Sequence, residues 1–144
     1  MRLFTSQSHV KWNCKYHIII VPKYRKKVLY GQMRQQIGII IRELASQKET
    51  EIIEGTACSD HIHLIARIPP KYSVAHIIGF LKDKSAIKMH SQFSKQHRTT
   101  HKAFWSRGYF VDTIGIDEDT ITKYVQNQWK TDKYVDGDQL DLRW

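Results

Sequence analysis

Several signatures that usually betray a function are missing from this chain. Its 144 residues hold 2 cysteines, Cys14 and Cys58. They lie far apart and outside any Cys-x-x-Cys pattern, which suggests neither a zinc ribbon nor a disulfide framework. The 7 glycines form no Walker-type phosphate loop, so nothing points to ATP-driven chemistry. The longest apolar run, residues 18–21, is far too short to cross a bilayer. No helical stretch pairs a basic face with a bulky exposed apolar one, so no membrane partner is expected. The opening Met-Arg-Leu-Phe-Thr-Ser-Gln-Ser lacks the apolar core of a signal peptide, and the cytoplasm is the expected location. Repeats, low-complexity stretches and linkers are absent too.

Acidic residues are also scarce. Lys and Arg number 23 against 14 Asp and Glu, a net charge of +9 and a pI near 9.6. Such an excess draws polyanions, because neutralised phosphates release condensed counterions. Aromatic residues interleave with the charge in Lys11-Trp12, Lys15-Tyr16 and Lys23-Tyr24-Arg25-Lys26-Lys27. Cations that hold phosphates beside rings that stack on bases point to nucleic acid. A hydrophobic fraction of 41% suffices for one core, so residues 1–144 read as a single domain. A domain this short has little room for a private cavity, and oligomerisation is expected.

Period-2 alternation predicts a first strand over residues 10–21, with Trp12, Cys14, Tyr16, Ile18 and Ile20 on one face and Lys11, Asn13, Lys15 and His17 on the other. Pro22 ends it. Met33, Ile37, Ile40, Ile41 and Leu44 recur at helical spacing within residues 32–47. Strands follow at 51–57 and 61–68, joined by the short turn Cys58-Ser59-Asp60, and Pro69-Pro70 stops the second. Ser73 is a candidate N-cap for a second helix that buries Val74, Ile77, Ile78, Leu81 and Met89 and leaves Lys82, Lys84 and Lys88 outside. A polar, basic loop is expected over 91–102 and a fourth strand over 109–114. A last helix runs from Asp117 to about residue 131, with Asp117, Glu118 and Asp119 at the positive end of its dipole. The order β-α-β-β-α-β plus a helix gives an α+β fold: a ferredoxin-like or RRM-like antiparallel sheet with helices on one face.

His61-Ile62-His63 is the sharpest local feature. On a strand both imidazoles leave one face while Ile62 and Leu64 enter the core. Two adjacent imidazoles are half of a metal site, although exposed strand histidines in a chain with 8 His would look the same. In the last helix Tyr124 and Gln128, four residues apart, share a face, so phenol and amide reach one region. Taken alone, that pair reads equally as an amphipathic tyrosine beside a solvated glutamine.

In combination these residues resemble the HUH nucleases, named for two histidines around a hydrophobic residue. Within them the chain is similar to the single-tyrosine transposases of small bacterial and archaeal insertion sequences, related to the REP-associated tyrosine transposases. The likeness spans nearly the whole chain. It includes Lys23-Tyr24-Arg25, Asp60-His61-Ile62-His63-Leu64, Pro69-Pro70-Lys71-Tyr72-Ser73, Phe80-Leu81-Lys82, Trp105-Ser106-Arg107-Gly108-Tyr109-Phe110 and Tyr124…Gln128.

The resemblance implies that His61, His63 and Gln128 ligate a divalent metal, Mg or Mn. It implies that Tyr124 is the nucleophile, forming a 5′-phosphotyrosine as single-stranded DNA is cut and rejoined to excise and insert the element. Expected partners are DNA hairpins at the element ends and a second copy of the chain. In that homodimer the helix bearing Tyr124 and Gln128 would complete the site of the other subunit, with a hinge near Gly115. Lys11, Lys15, Lys23, Arg25, Lys26, Lys82, Lys84 and Arg107 are candidate DNA contacts. A histidine-triad hydrolase would need a third histidine where this chain has Ile65. Relaxases carry longer segments, and acidic-triad transposases need a larger domain. The rival from another class is a non-catalytic or domesticated RRM-like nucleic-acid-binding module.

Overall fold

The computed structural model describes residues 5–7, 10–93 and 104–115. The chain divides into two compact units, 1–114 and 115–144. The first is described below. The expected last helix, with Tyr124 and Gln128, falls outside the described residues.

The elements are β1 (Thr5–Gln7), β2 (Val10–Trp12), β3 (Lys15–Ile20), a 3₁₀ turn (Lys23–Arg25), α1 (Gly31–Gln47), β4 (Glu51–Cys58), β5 (His61–Arg67), α2 (Val74–Phe93) and β6 (Phe110–Ile114). Four strands form one sheet in the order β4-β5-β3-β6, antiparallel throughout, while β1 and β2 pair separately. Setting that hairpin aside, the order and directions are those of the ferredoxin-like sheet expected from the sequence.

The first predicted strand differs in detail. Instead of one run over 10–21, it breaks at Asn13 and Cys14. There the Cys14 carbonyl accepts from Ile68 N at 2.9 Å and the Asn13 side-chain oxygen accepts from Arg67 Nε at 3.3 Å. These bonds bind the break to the end of β5, so β2 leaves the main sheet. α2 also runs three residues into the stretch expected as loop, ending at Phe93. Phe93 is buried in the core, and that contact extends the helix.

Both helices cover one face of the sheet. Ile18, Ile20, Ile62, Leu64 and Ala66 meet Ile37, Ile40, Ile41 and Leu44 of α1 and Ile77, Ile78, Leu81 and Met89 of α2, all buried. Ser73 caps α2 as expected, its Oγ accepting from His76 N at 3.0 Å. The 104–108 segment seals the end of the core. Trp105 bridges to Pro22, and its indole N–H donates to the buried Ser85 Oγ at 2.9 Å.

Candidate active site

β5 lies between β3 and β4, and its parity divides the labour. Ile62, Leu64 and Ala66 are 3%, 3% and 1% exposed under the helices, so His61, His63 and Ile65 stand on the uncovered face. Register sets Cys58 beside His61, Thr56 and Ile19 beside His63, and His17 beside Ile65. β6 adds Phe110 beside Ile19 and Asp112 beside His17.

His61 is held by its neighbour. Its Nδ1 lies 2.9 Å from Asp60 Oδ1, while Asp60 Oδ2 accepts from Arg25 Nη2 at 3.2 Å. The hydrogen bond from His61 is the largest cause that holds the Asp60 carboxyl below the usual carboxylate range; desolvation opposes it, and the Arg25 charge and hydrogen bond add to the lowering. An ionised carboxylate only accepts, so the proton sits on Nδ1 and the Nε2 lone pair of His61 faces outward. This carboxylate–imidazole pairing is how metal-binding histidines are commonly oriented.

Arg25 arrives through a strained turn. Tyr24 (φ 62°) and Arg25 (φ 51°) occupy the left-handed region, which costs a non-glycine residue about 1–2 kcal/mol. Arg25 N donates to Pro22 O at 2.9 Å, Lys23 N to Phe104 O at 2.9 Å, and Leu29 N to Ser59 O at 3.1 Å. The first closes the turn, the second ties it to the 104–108 segment, and the third fastens the chain that follows it to the β4–β5 connection. Tyr24 is left 73% exposed, with Lys23 Nζ 5.5 Å above its ring.

A third imidazole reaches the pair from β3. His17 Nδ1 is 3.1 Å from His63 Nε2, and the two rings lie within 19° of parallel with centroids 5.2 Å apart. Among the described residues no three His, Cys, Asp or Glu side chains are arranged to hold one metal ion. Two imidazoles, one with an outward lone pair, nevertheless suit a divalent ion that draws its other ligands from elsewhere.

The candidate DNA contacts occupy separate places. Lys23, Arg25 and Lys26 lie in or beside the strained turn, with Arg25 and Lys26 exposed. Lys15 sits on the histidine face in the register row of Arg67 and Ile114. Lys11 is exposed on β2, and Arg107 is exposed in the 104–108 segment. Lys84 is exposed on α2, across the sheet from the histidines. Lys82 points its donors inward, giving hydrogen bonds to Ser106 O at 2.7 Å and Gly108 O at 2.8 Å. Burial pushes its ammonium below the usual lysine range. A cleft of 230 Å³ between α1 and β4, lined by Arg34, Gly38, Arg42 and Gly55 among others, lies on the helix side of the sheet, away from His61 and His63.

Sequence reasoning missed Asp60 and His17 as partners of the histidine pair. Asp60 was legible in its adjacency to His61. His17 stood on the correct face of the first strand, but its meeting with His63 needed the β3–β5 register.

Residues 10–128 match the family of transposases described as IS200-like. Over 138 residues the chain is 42% identical to the transposase for insertion sequence element IS200 of Salmonella typhimurium, covering 95% of this chain and 90% of that protein. It is 28% identical over 119 residues to the ISDra2 transposase TnpA of Deinococcus radiodurans, covering 81% and 85%. A Deinococcus radiodurans R1 crystal structure, described as that of a candidate transposase, superposes with a TM-score of 0.68 at 26% identity, over 86% of this chain and 96% of that one. The REP-associated tyrosine transposase bound to a REP hairpin shares the fold, with a TM-score of 0.52 at 14% identity over 89% and 71%.

Proposed function

Because the chain belongs to the family of IS200-like transposases, we propose that it cuts and rejoins single-stranded DNA through a covalent bond to Tyr124. The observation that carries this reading is His61, locked by Asp60 with its Nε2 outward, beside His63 on the uncovered sheet face. His61 and His63, with Gln128, would hold Mg or Mn, which when bound supplies Lewis-acid charge at the scissile phosphate.

The Tyr124 oxygen attacks the phosphorus and releases its proton to solvent. The P–O3′ bond breaks, and the leaving oxygen takes a proton to become a free 3′-hydroxyl. The 5′-phosphotyrosine keeps the diester's energy, so another strand's 3′-hydroxyl reverses the step without ATP. Phosphate contacts from the basic turn at Lys23, Arg25 and Lys26 and from Lys11, Lys15, Lys84 and Arg107 would position the strand. The REP-associated relative was bound to a hairpin, and hairpins at the element ends are the proposed substrate here. Among the described residues strand β6 is a sheet edge, with Phe110 56% and Val111 39% exposed. An apolar edge of this kind favours pairing with a second copy, and a homodimer with composite sites is the proposed active form. No described helix is long and apolar enough to cross a membrane, and we place the protein with DNA in the cytoplasm.

An RRM-like binding module fits less well. Such sheets stack bases on Phe or Tyr rings of their central strands, whereas β5 presents His61, His63 and Ile65 and β3 presents Lys15, His17 and Ile19. The decisive test incubates wild type and Tyr124→Phe with labelled single-stranded DNA carrying the ends of its own element, with Mn and with chelator. A denaturation-resistant adduct that needs both metal and Tyr124 is expected. Binding with no adduct under any metal condition would overturn the catalytic reading.

A further inference from the structure

His17 has no part in the function proposed above, yet it is the side chain in contact with one half of the histidine pair. The 5.2 Å centroid separation is nearly the 3.1 Å N···N distance plus the two ring radii. The two nitrogens therefore face each other almost in line, as in a hydrogen bond, and the rings do not lie one above the other. Between neutral imidazoles one ring must donate. If His17 donated, His63 would spend its only lone pair on the contact. If His63 donates from Nε2, its Nδ1 lone pair stays free.

We propose that His17 is a positioning residue for His63: its Nδ1 accepts the His63 Nε2–H, fixing the tautomer and ring plane of His63 as Asp60 fixes those of His61. The inference rests on the reading that His61 and His63 hold a metal. The two holding groups differ in a telling way. Asp60 precedes His61 in the chain, so that bond is local. His17 stands diagonally across the β3–β5 ladder, where Ile19 is opposite His63 and His17 opposite Ile65. The orientation of His63 thus depends on the sheet register, and on Ile18 and Ile20, both 0% exposed, which anchor β3 from the other face. Asp112 lies opposite His17 on β6.

The test uses the full chain as wild type, His17→Ala, His17→Asn and His63→Ala. Mn²⁺ affinity is measured by calorimetry, histidine tautomers by ¹⁵N NMR without metal, and thermal stability in parallel. His17→Ala should weaken Mn²⁺ binding about 10- to 100-fold, the usual effect of losing an outer partner. His17→Asn, whose carbonyl can accept in place of Nδ1, should restore most of it. In metal-free wild type His63 should carry its proton on Nε2, and His17→Ala should lose that preference. Unchanged or tighter Mn²⁺ binding in His17→Ala overturns the proposal, as does wild-type His63 protonated on Nδ1. If wild type bound no Mn²⁺, or His63→Ala bound it equally well, the metal reading would fail instead. The NMR result would still decide whether His17 holds His63.

Discussion

Replacing Lys82 by Met separates two roles that look alike in the sequence. The lysine was a candidate DNA contact, yet its ammonium donates to the carbonyls of Ser106 and Gly108. Methionine keeps most of the stem and removes the donors. A hydrogen bond from a charged group contributes roughly 1.5–3 kcal/mol. The bond to Ser106 is part-buried and counts nearly in full, while the exposed one to Gly108 is discounted for solvent screening. The expected loss is about 2 kcal/mol, which for a chain of this size lowers Tm by roughly 4–8 °C. The companion assay is the salt dependence of single-stranded DNA binding, where each lost phosphate contact reduces the slope by about 0.7. Lys82→Met should leave that slope unchanged. Lys84→Met, two residues along and exposed, should leave Tm unchanged and lower the slope. A Lys82→Met variant with wild-type Tm and a shallower slope would refute the structural role.

Three further outcomes follow from the same contacts. Ser85→Ala leaves the buried Trp105 N–H without its acceptor and should destabilise the fold by about 1–3 kcal/mol, read by urea unfolding; no change would mean the indole finds another partner. The Asp60 carboxyl is held down by His61 and then Arg25, so its stabilisation is complete above the ordinary carboxylate pKa and fades as pH falls through the depressed one. The stability gap between wild type and Asp60→Asn should therefore close on acidification, and a gap constant with pH would contradict the ion-pair account. Phe110→Lys on the β6 edge should shift the protein towards monomer in light scattering, whereas an unchanged mass would place the dimer contact elsewhere.

Periodicity revealed most of this fold because each element carries its own face. In α1 the buried set Met33, Ile37, Ile40, Ile41 and Leu44 is the spacing visible in the sequence, and Ser73 caps α2 where a serine before an apolar run should. What stayed hidden depends on distant partners. The break at Asn13 follows from bonds to Arg67 and Ile68. An irregular register between Ile52 and Glu54 was masked because Ile52-Ile53 reads as inward at either position. The histidine pair was legible as a local motif, whereas Arg25 and His17 meet it only after chain reversals that no window of sequence contains. Lys82 looked like any outward lysine on an amphipathic helix until the 104–108 segment was placed over it.

The same alternation that builds the core also aims the site. Register along β5 is maintained by Ile62, Leu64 and Ala66 beneath the helices. A slip of one residue would expose them and drive both imidazoles into an apolar layer. Burial of a large aliphatic side chain contributes about 1.5–3 kcal/mol, so Ile62 and Leu64 together oppose that slip by roughly 3–6 kcal/mol before any imidazole is desolvated. Gly55 adds a steric check on β4, since a Cβ there would approach Leu64 Cδ2 to 3.3 Å. A larger residue at 55 would press on the side chain that keeps His63 facing outward. The orientation of the histidines is thus enforced by the packed side of the sheet, and the fine alignment of His61 by Asp60. Core variants at Ile62 or Leu64 are therefore expected to disturb the site even though neither side chain faces it.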